Sequence, residues 1–262
     1  PPEYNNGKFP YILYNSGGVL LNLIASAAAL LMVSEQFPLF VNMFLVGFGL
    51  SGIYTAIING MPVKLNKMAT DGHNILSILK DPDAKWAFWI QLKSSELLFQ
   101  GVRPKDLPLD MYKTENMNDL TQPLNTSLLL IWYDHYLDQL DFEKARACLE
   151  KSVPYLDKLA SFYRNEINLE RLFLELIGEK RPDVVEEIYN EELKQYIQVT
   201  SNWPNRKRIL MAYEGLQQKD PDKAMKYYQE IIQTASRFLN MGEAKKEITL
   251  ANWLKEQFLA VS

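Results

Sequence analysis

Charge disappears twice near the start of this chain: residues 9–34 and residues 36–63 contain no Asp, Glu, Lys or Arg, and Glu35 stands alone between them. Within the first run, residues 11–33 are long enough, at about 1.5 Å per residue, to cross a hydrocarbon core of roughly 30 Å. About ten Leu, Ile and Val side chains there supply a gross insertion term on the order of −3 to −6 kcal/mol. Gly17, Gly18 and the Ala-Ser-Ala-Ala-Ala of residues 25–29 form small faces that let a second helix approach closely. Residues 34–38 read as a tight turn, and residues 39–58 as a second apolar helix loosened on one face by Gly47, Gly49 and Gly52. Lysine returns at Lys64, Lys67, Lys80 and Lys85 but is missing from the turn. The pattern therefore predicts a membrane hairpin whose two outer flanks lie in the cytosol, with Glu35 outside.

The pattern then changes. Residues 74–79 remain apolar, and Asp81-Pro82-Asp83 ends that element and opens the next. Trp86, Phe88, Trp89, Ile90 and Phe99 alternate with Lys85, Lys93 and Glu96, which suits a helix lying on a membrane surface or a buried helix of a soluble part. Residues 103–123, with three prolines, read as a linker. From residue 124 onward the periodicity is helical. Three helical hairpins have second helices that open alike, at Asp141-Phe-Glu-Lys-Ala, Arg181-Pro-Asp-Val-Val and Asp220-Pro-Asp-Lys-Ala. Short turns, alternating helices and the pair Ala224 and Tyr228 resemble tetratricopeptide-type repeats, at a period of about 40 rather than 34 residues. A closing helix over residues 243–260, with Ile248, Trp253, Leu254 and Phe258 on one side, would cap the stack. The expected fold is all-α: a transmembrane helical hairpin in residues 1–80, an amphipathic helix and linker in 81–123, and a cytosolic helical-repeat domain in 124–262.

Composition narrows the function. The 262 residues carry a net charge of −4, which disfavours a nucleic-acid partner, since such a partner calls for a basic face. The single cysteine, Cys148, excludes an internal disulfide and suits a small apolar residue at a helix interface in a reducing compartment. Two successive apolar runs do not fit a cleavable signal peptide. Gly-rich phosphate loops, Ser-His-Asp arrangements and Cys-x-x-Cys pairs are missing from the sequence. Of its two histidines, His135 lies between aromatic residues and reads as structural, whereas His73 adjoins the one stretch that carries candidate chemistry.

That stretch is residues 59–73, NGMPVKLNKMATDGH. A carboxylate at Asp71, just past a membrane-length apolar run, is costly unless it has a task. The spacing Asn59-Gly-Met-Pro62, a short connection, then Asp71-Gly72 resembles the Asn-x-x-Pro…Asp-Gly signature of the site-2 protease family of intramembrane zinc metallopeptidases. The resemblance implies that Asp71 is a zinc ligand. It also implies that Pro62 breaks the preceding helix, so that Asn59 can pair with a substrate strand, and that Gly72 allows close backbone approach. Asn22, in GGVLLN, resembles the family's Gly-x-x-x-Asn element, whose amide holds substrate; a plain hydrogen bond to a neighbouring helix would serve equally well. The family draws its other ligands and its base from a His-Glu-x-x-His helix, which this sequence lacks, so the zinc site is incomplete here. The start at Pro1-Pro2-Glu3 rather than Met suits the C-terminal portion of such a protein. The expectation is part of a multi-pass cell-membrane zinc metalloprotease that cuts membrane-bound protein substrates, with the repeats recruiting a substrate or regulator. The alternative is a non-catalytic, membrane-tethered helical-repeat module that binds a protein partner.

Overall fold

The computed structural model describes residues 9–108, 120–121 and 123–259. Apart from one two-residue β-ribbon, the described structure is all-α, and it separates into two compact units, residues 1–89 and 90–262, with the division falling inside one helix.

The first unit begins with two long apolar helices, α1 (Tyr11–Leu31) and α2 (Leu39–Gly60), packed as an antiparallel hairpin. Asn42 closes the turn between them: its amide donates to the Ser34 carbonyl at 2.8 Å and its carbonyl oxygen accepts from the Ser34 N–H at 3.2 Å. Small residues set the packing. A Cβ added at Gly52 would lie 2.1 Å from Ser26 Oγ, and one at Gly49 would lie 2.6 Å from Leu30 Cγ, so both glycines serve as seats for side chains of α1. Farther along, Val19 faces Gly60. Ser26, Ala29 and Ala56 are buried in this seam. Apolar side chains on the outer faces are left uncovered, with Leu21 and Ile24 about two-thirds exposed and Leu39 and Phe40 about three-quarters exposed (66%, 67%, 76% and 73%). Both helices are long and apolar enough to cross a membrane. They end close to the limits the charge-free runs predict.

Beyond α2 the chain forms a ribbon, β1 (Lys64–Leu65) and β2 (Met68–Ala69), then α3 (Asp71–Lys80) and α4 (Pro82–Phe99). The ribbon turns at Asn66 and Lys67, whose φ values of 48° and 67° are the left-handed pair that a tight hairpin requires. In α4, Phe88 is buried and meets Phe9 and Tyr14, with ring centroids 6.0 and 5.9 Å apart, while Trp86 stacks on Trp89 at 5.1 Å.

The second unit is helical: α5 (Pro123–Asp138), α6 (Phe142–Glu150), α7 (Ser161–Ile177), α8 (Pro182–Ile188), α9 (Glu191–Val199), α10 (Pro204–Ala212), α11 (Pro221–Ala235) and α12 (Met241–Leu259). Three of its turns share one backbone device. Leu140, Lys180 and Lys219 have φ of 60°, 57° and 56°, and each stands two residues before the first residue of α6, α8 or α11. Asp141 and Asp220 then cap their helices by accepting from Lys144 N–H and Lys223 N–H. In the middle turn, Arg181 is held instead by Glu175, to which it gives hydrogen bonds from its backbone and guanidinium. The helix starts match the three openings seen in the sequence, and α9 is an additional helix between the second and third pairs. The core runs through all of these helices and includes Leu137, Leu149, Ile167, Phe173, Ile209, Ile231 and Leu254.

The start of the expected linker is fixed rather than loose. Arg103 forms a two-pronged ion pair with Asp138, and Lys105 N–H donates to the same carboxylate at 3.1 Å. His135 Nδ1 lies 3.0 Å from the Pro104 carbonyl, which gives this buried histidine a structural role. The expected linker's residues 109–119 and 122 lie outside the described residues. Cys148 is buried in α6, and burial raises its thiol pKa.

Candidate functional site

The helix α2 ends because the chain meets Pro62. Met61 leaves helical geometry (ψ 138°), its N–H still bonded to the Ile57 carbonyl, and the carbonyls of residues 60–63 then lack helical donors. The short ribbon brings the chain back over this broken end, and residues 70–73 cover it. Thr70 Oγ1 lies 2.5 Å from the Met61 carbonyl oxygen and 2.9 Å from that of Val63, and Thr70 N–H donates to the Val63 carbonyl at 3.2 Å. The His73 ring hydrogen-bonds the Pro62 carbonyl. Gly72 lies against Gly60: a Cβ at position 72 would be 2.2 Å from the Gly60 oxygen and 2.8 Å from the Met61 carbonyl carbon. Thr70 also caps α3 by accepting the His73 N–H at 3.2 Å.

The two halves of the motif are therefore one structural unit. Asn59 occupies the last turn of α2, half-buried; Pro62 is exposed at the bend; Asp71 and Gly72 form the first turn of α3, which packs on both α1 and α2. Asn22 lies in α1, also half-buried, about one turn from the Val19 that faces Gly60. Its backbone carbonyl lies 3.4 Å from the Cβ position of Gly52, so its part of α1 lies close against α2.

Burial raises the Asp71 carboxyl above its ordinary pKa. Burial, with Lys64 and Lys80 nearby, lowers that of His73 despite the hydrogen bond to Pro62, and this lowering favours its neutral form. A carboxylate in the first turn of α3 faces the partial positive charge of the helix start, a favourable place for an anion. As a donor set for a metal, however, the unit is partial. Among the described residues no group of three His, Cys, Asp or Glu side chains could hold an ion. Asp71 can act as one ligand, and a zinc site with three protein ligands needs donors from elsewhere.

The sequence reading missed two contributors here, Thr70 and the β-ribbon, and placed His73 only as a surface or supporting neighbour of the candidate ligand. Thr70 immediately before Asp-Gly was a legible capping signal. The Asn66-Lys67 turn between two-residue strands left no measurable alternation.

Comparison with known protein families, with curated proteins and with solved structures gave no match to this chain.

Proposed function

We propose that this chain is the C-terminal part of a membrane-embedded, site-2-type zinc metalloprotease, in which Asp71 is one metal ligand. The observation that carries this reading is the docking of Gly72 and Thr70 onto the carbonyls of residues 60, 61 and 63. It fixes a half-buried carboxylate at the end of an apolar hairpin, with the Asn-x-x-Pro and Asp-Gly halves of the motif in direct backbone contact. α1 and α2 span the membrane in this reading, consistent with their length and their uncovered apolar faces. The remaining zinc ligands and the catalytic base come from outside the described residues. Zinc, when bound, would supply a water of lowered pKa as the hydrolytic nucleophile. Within this chain, Asp71 holds the metal, Gly72 and Thr70 position Asp71, and Asn59 and Asn22 contact the substrate backbone. The exposed β-ribbon next to Pro62 offers an edge on which an extended substrate could pair.

The helical unit is the recruiting part, a divergent tetratricopeptide-like array on the cytosolic side. Its support is the equivalent left-handed residue in the turns at Leu140, Lys180 and Lys219. Cleavage of a membrane-anchored substrate in reconstituted vesicles tests the protease reading: Asp71→Asn should abolish cleavage, and an unaltered rate would overturn it. In that event the chain is a membrane-tethered binding module, a reading favoured by the continuous core of the helical unit.

A further inference from the structure

The helical unit contains a cavity of about 580 Å³ whose walls are largely apolar, formed by Phe99, Leu130, Trp203, Phe238 and Leu239. Its floor is a ring of charge, buried at Arg208, Lys246, Glu170 and Glu247 and half-buried at Asp134 and Glu243. Arg208, with no exposed surface, donates to Glu170 at 2.8 Å and to Glu247 at 2.7 Å, and Tyr133 donates to Glu170 at 2.6 Å. Lys246, 4% exposed, forms an ion pair with Asp134 and contacts Glu243 at 2.6 Å. Four carboxylates, Asp134, Glu170, Glu243 and Glu247, thus meet two cations, Arg208 and Lys246. Arg237, exposed on the rim, makes no ion pair with this ring.

Two acceptors of the cavity lining are left without hydrogen bonds. Glu247 is 98% buried, yet its Oε1 accepts none and lies 3.6 Å from Lys246 Nζ; Asn205 Oδ1 is buried and also unbonded, and on the donor side Arg208 Nη1 is unbonded too. The two glutamates on Arg208 behave differently. Burial works to raise both, but Arg208 and Lys246 hold Glu170 below the usual carboxylate range, whereas Glu247 stays above it. Asp134 is pushed up by burial and by Glu243 and Glu170, although Lys246 opposes this. A buried carboxylate short of partners is costly, and a donor-rich cation entering the cavity would offset that cost.

We propose that this cavity takes an arginine or lysine side chain of a protein segment that carries an apolar residue beside it. The cationic head would reach Glu247, Asp134 and Asn205. The stem and the apolar neighbour would lie against Trp203, Phe238 and the 81% exposed Leu239. Charge complementarity selects the cation, and apolar walls continuing onto the exposed rim select a chain segment over a free amine. The inference rests on reading the helical unit as the recruiting part, and it is independent of the metal at Asp71.

Calorimetry on the full chain in detergent tests it with four probes: the peptide acetyl-Gly-Leu-Arg-Leu-Gly-amide, its citrulline and glutamate counterparts, and agmatine. The arginine peptide should bind, with citrulline weaker by at least about 10-fold, since a charge-assisted pair is worth roughly 1.4 kcal/mol or more. Glu247→Gln should weaken the arginine peptide by a similar factor. Leu239→Ala, at a site too exposed to disturb folding, should weaken it by about 3-fold, and Asp71→Asn should leave it unchanged. Equal binding of the citrulline or glutamate peptide would overturn the cationic assignment while leaving a recruiting unit. Agmatine binding as tightly as the peptide would replace the protein segment with a small organic cation. Binding of none of the four would overturn the inference.

Discussion

Gly72 touches the backbone of Gly60, so closely that a single methyl group at position 72 would lie 2.2 Å from the Gly60 carbonyl oxygen. The obstacle is main chain, fixed by Pro62 on one side and α2 on the other, and it cannot rotate away as a side-chain tip could. Gly72→Ala should therefore displace the start of α3 from the end of α2, at a cost of about 1–3 kcal/mol in local stability. Faster hydrogen exchange at the Thr70 and His73 amides would record the displacement. Gly17→Ala, where nothing lies within 4 Å of the added carbon, should leave exchange at both amides unchanged.

Acid should act on the same unit through two groups of opposite sign. Burial raises Asp71, so without metal its ionised form weakens the fold: stability is fully present below the unfolded carboxyl pKa and is lost as pH rises through the higher folded value. His73 is lowered, so its contribution is full above the ordinary histidine pKa and is lost as pH falls through the depressed folded value. Carbon-13 titration of the metal-free chain should place the Asp71 midpoint above, and the His73 midpoint below, those of the corresponding free residues. Asp71→Asn should remove the first transition and leave the second.

The hairpin reading predicts a single topology. With Cys148 replaced by Ala, a cysteine at Glu35 should react with an impermeant maleimide only from the outer face, and one at the exposed Lys219 only from the cytosolic face. Labelling of both positions from the same side would reject a two-helix crossing.

In the second unit, Arg103→Ala would leave the fully buried Asp138 carboxylate with the Lys105 N–H but without its cation. Loss of one partner of such a pair should cost roughly 3 kcal/mol. A fragment beginning at residue 90 should accordingly unfold at higher denaturant concentration than one beginning at residue 124, which lacks Arg103. Equal midpoints for the two fragments would show that the 103–107 segment contributes nothing.

The sequence made some of this legible and hid the rest for physical reasons. Charge-free length marked α1 and α2 because desolvated charge is costly over a whole helix, so the signal extends across some twenty residues. The capped start of α3 and the helix starts at Phe142, Pro182 and Pro221 were legible because caps and prolines act locally. The ribbon at residues 64–69 was not, since two-residue strands carry no periodicity. Arg206-Lys207-Arg208 reads as an ordinary basic surface, yet both arginines have no exposed surface. Their partners, Glu166 on one and Glu170 with Glu247 on the other, lie about 40 residues away, beyond any local pattern. The fixing of Arg103 by Asp138 was hidden for the same reason.

Metal content tests the assignment of Asp71 most directly. Zinc should be measured by elemental analysis on the purified protein containing the remaining ligands, beside variants Asp71→Asn and Asp81→Asn, each of which removes one negative charge from the region after α2. The account predicts near-stoichiometric zinc in the unaltered protein and in Asp81→Asn, and a loss of most of it in Asp71→Asn. Equal zinc in Asp71→Asn and the unaltered protein would contradict the assignment of Asp71 as a ligand.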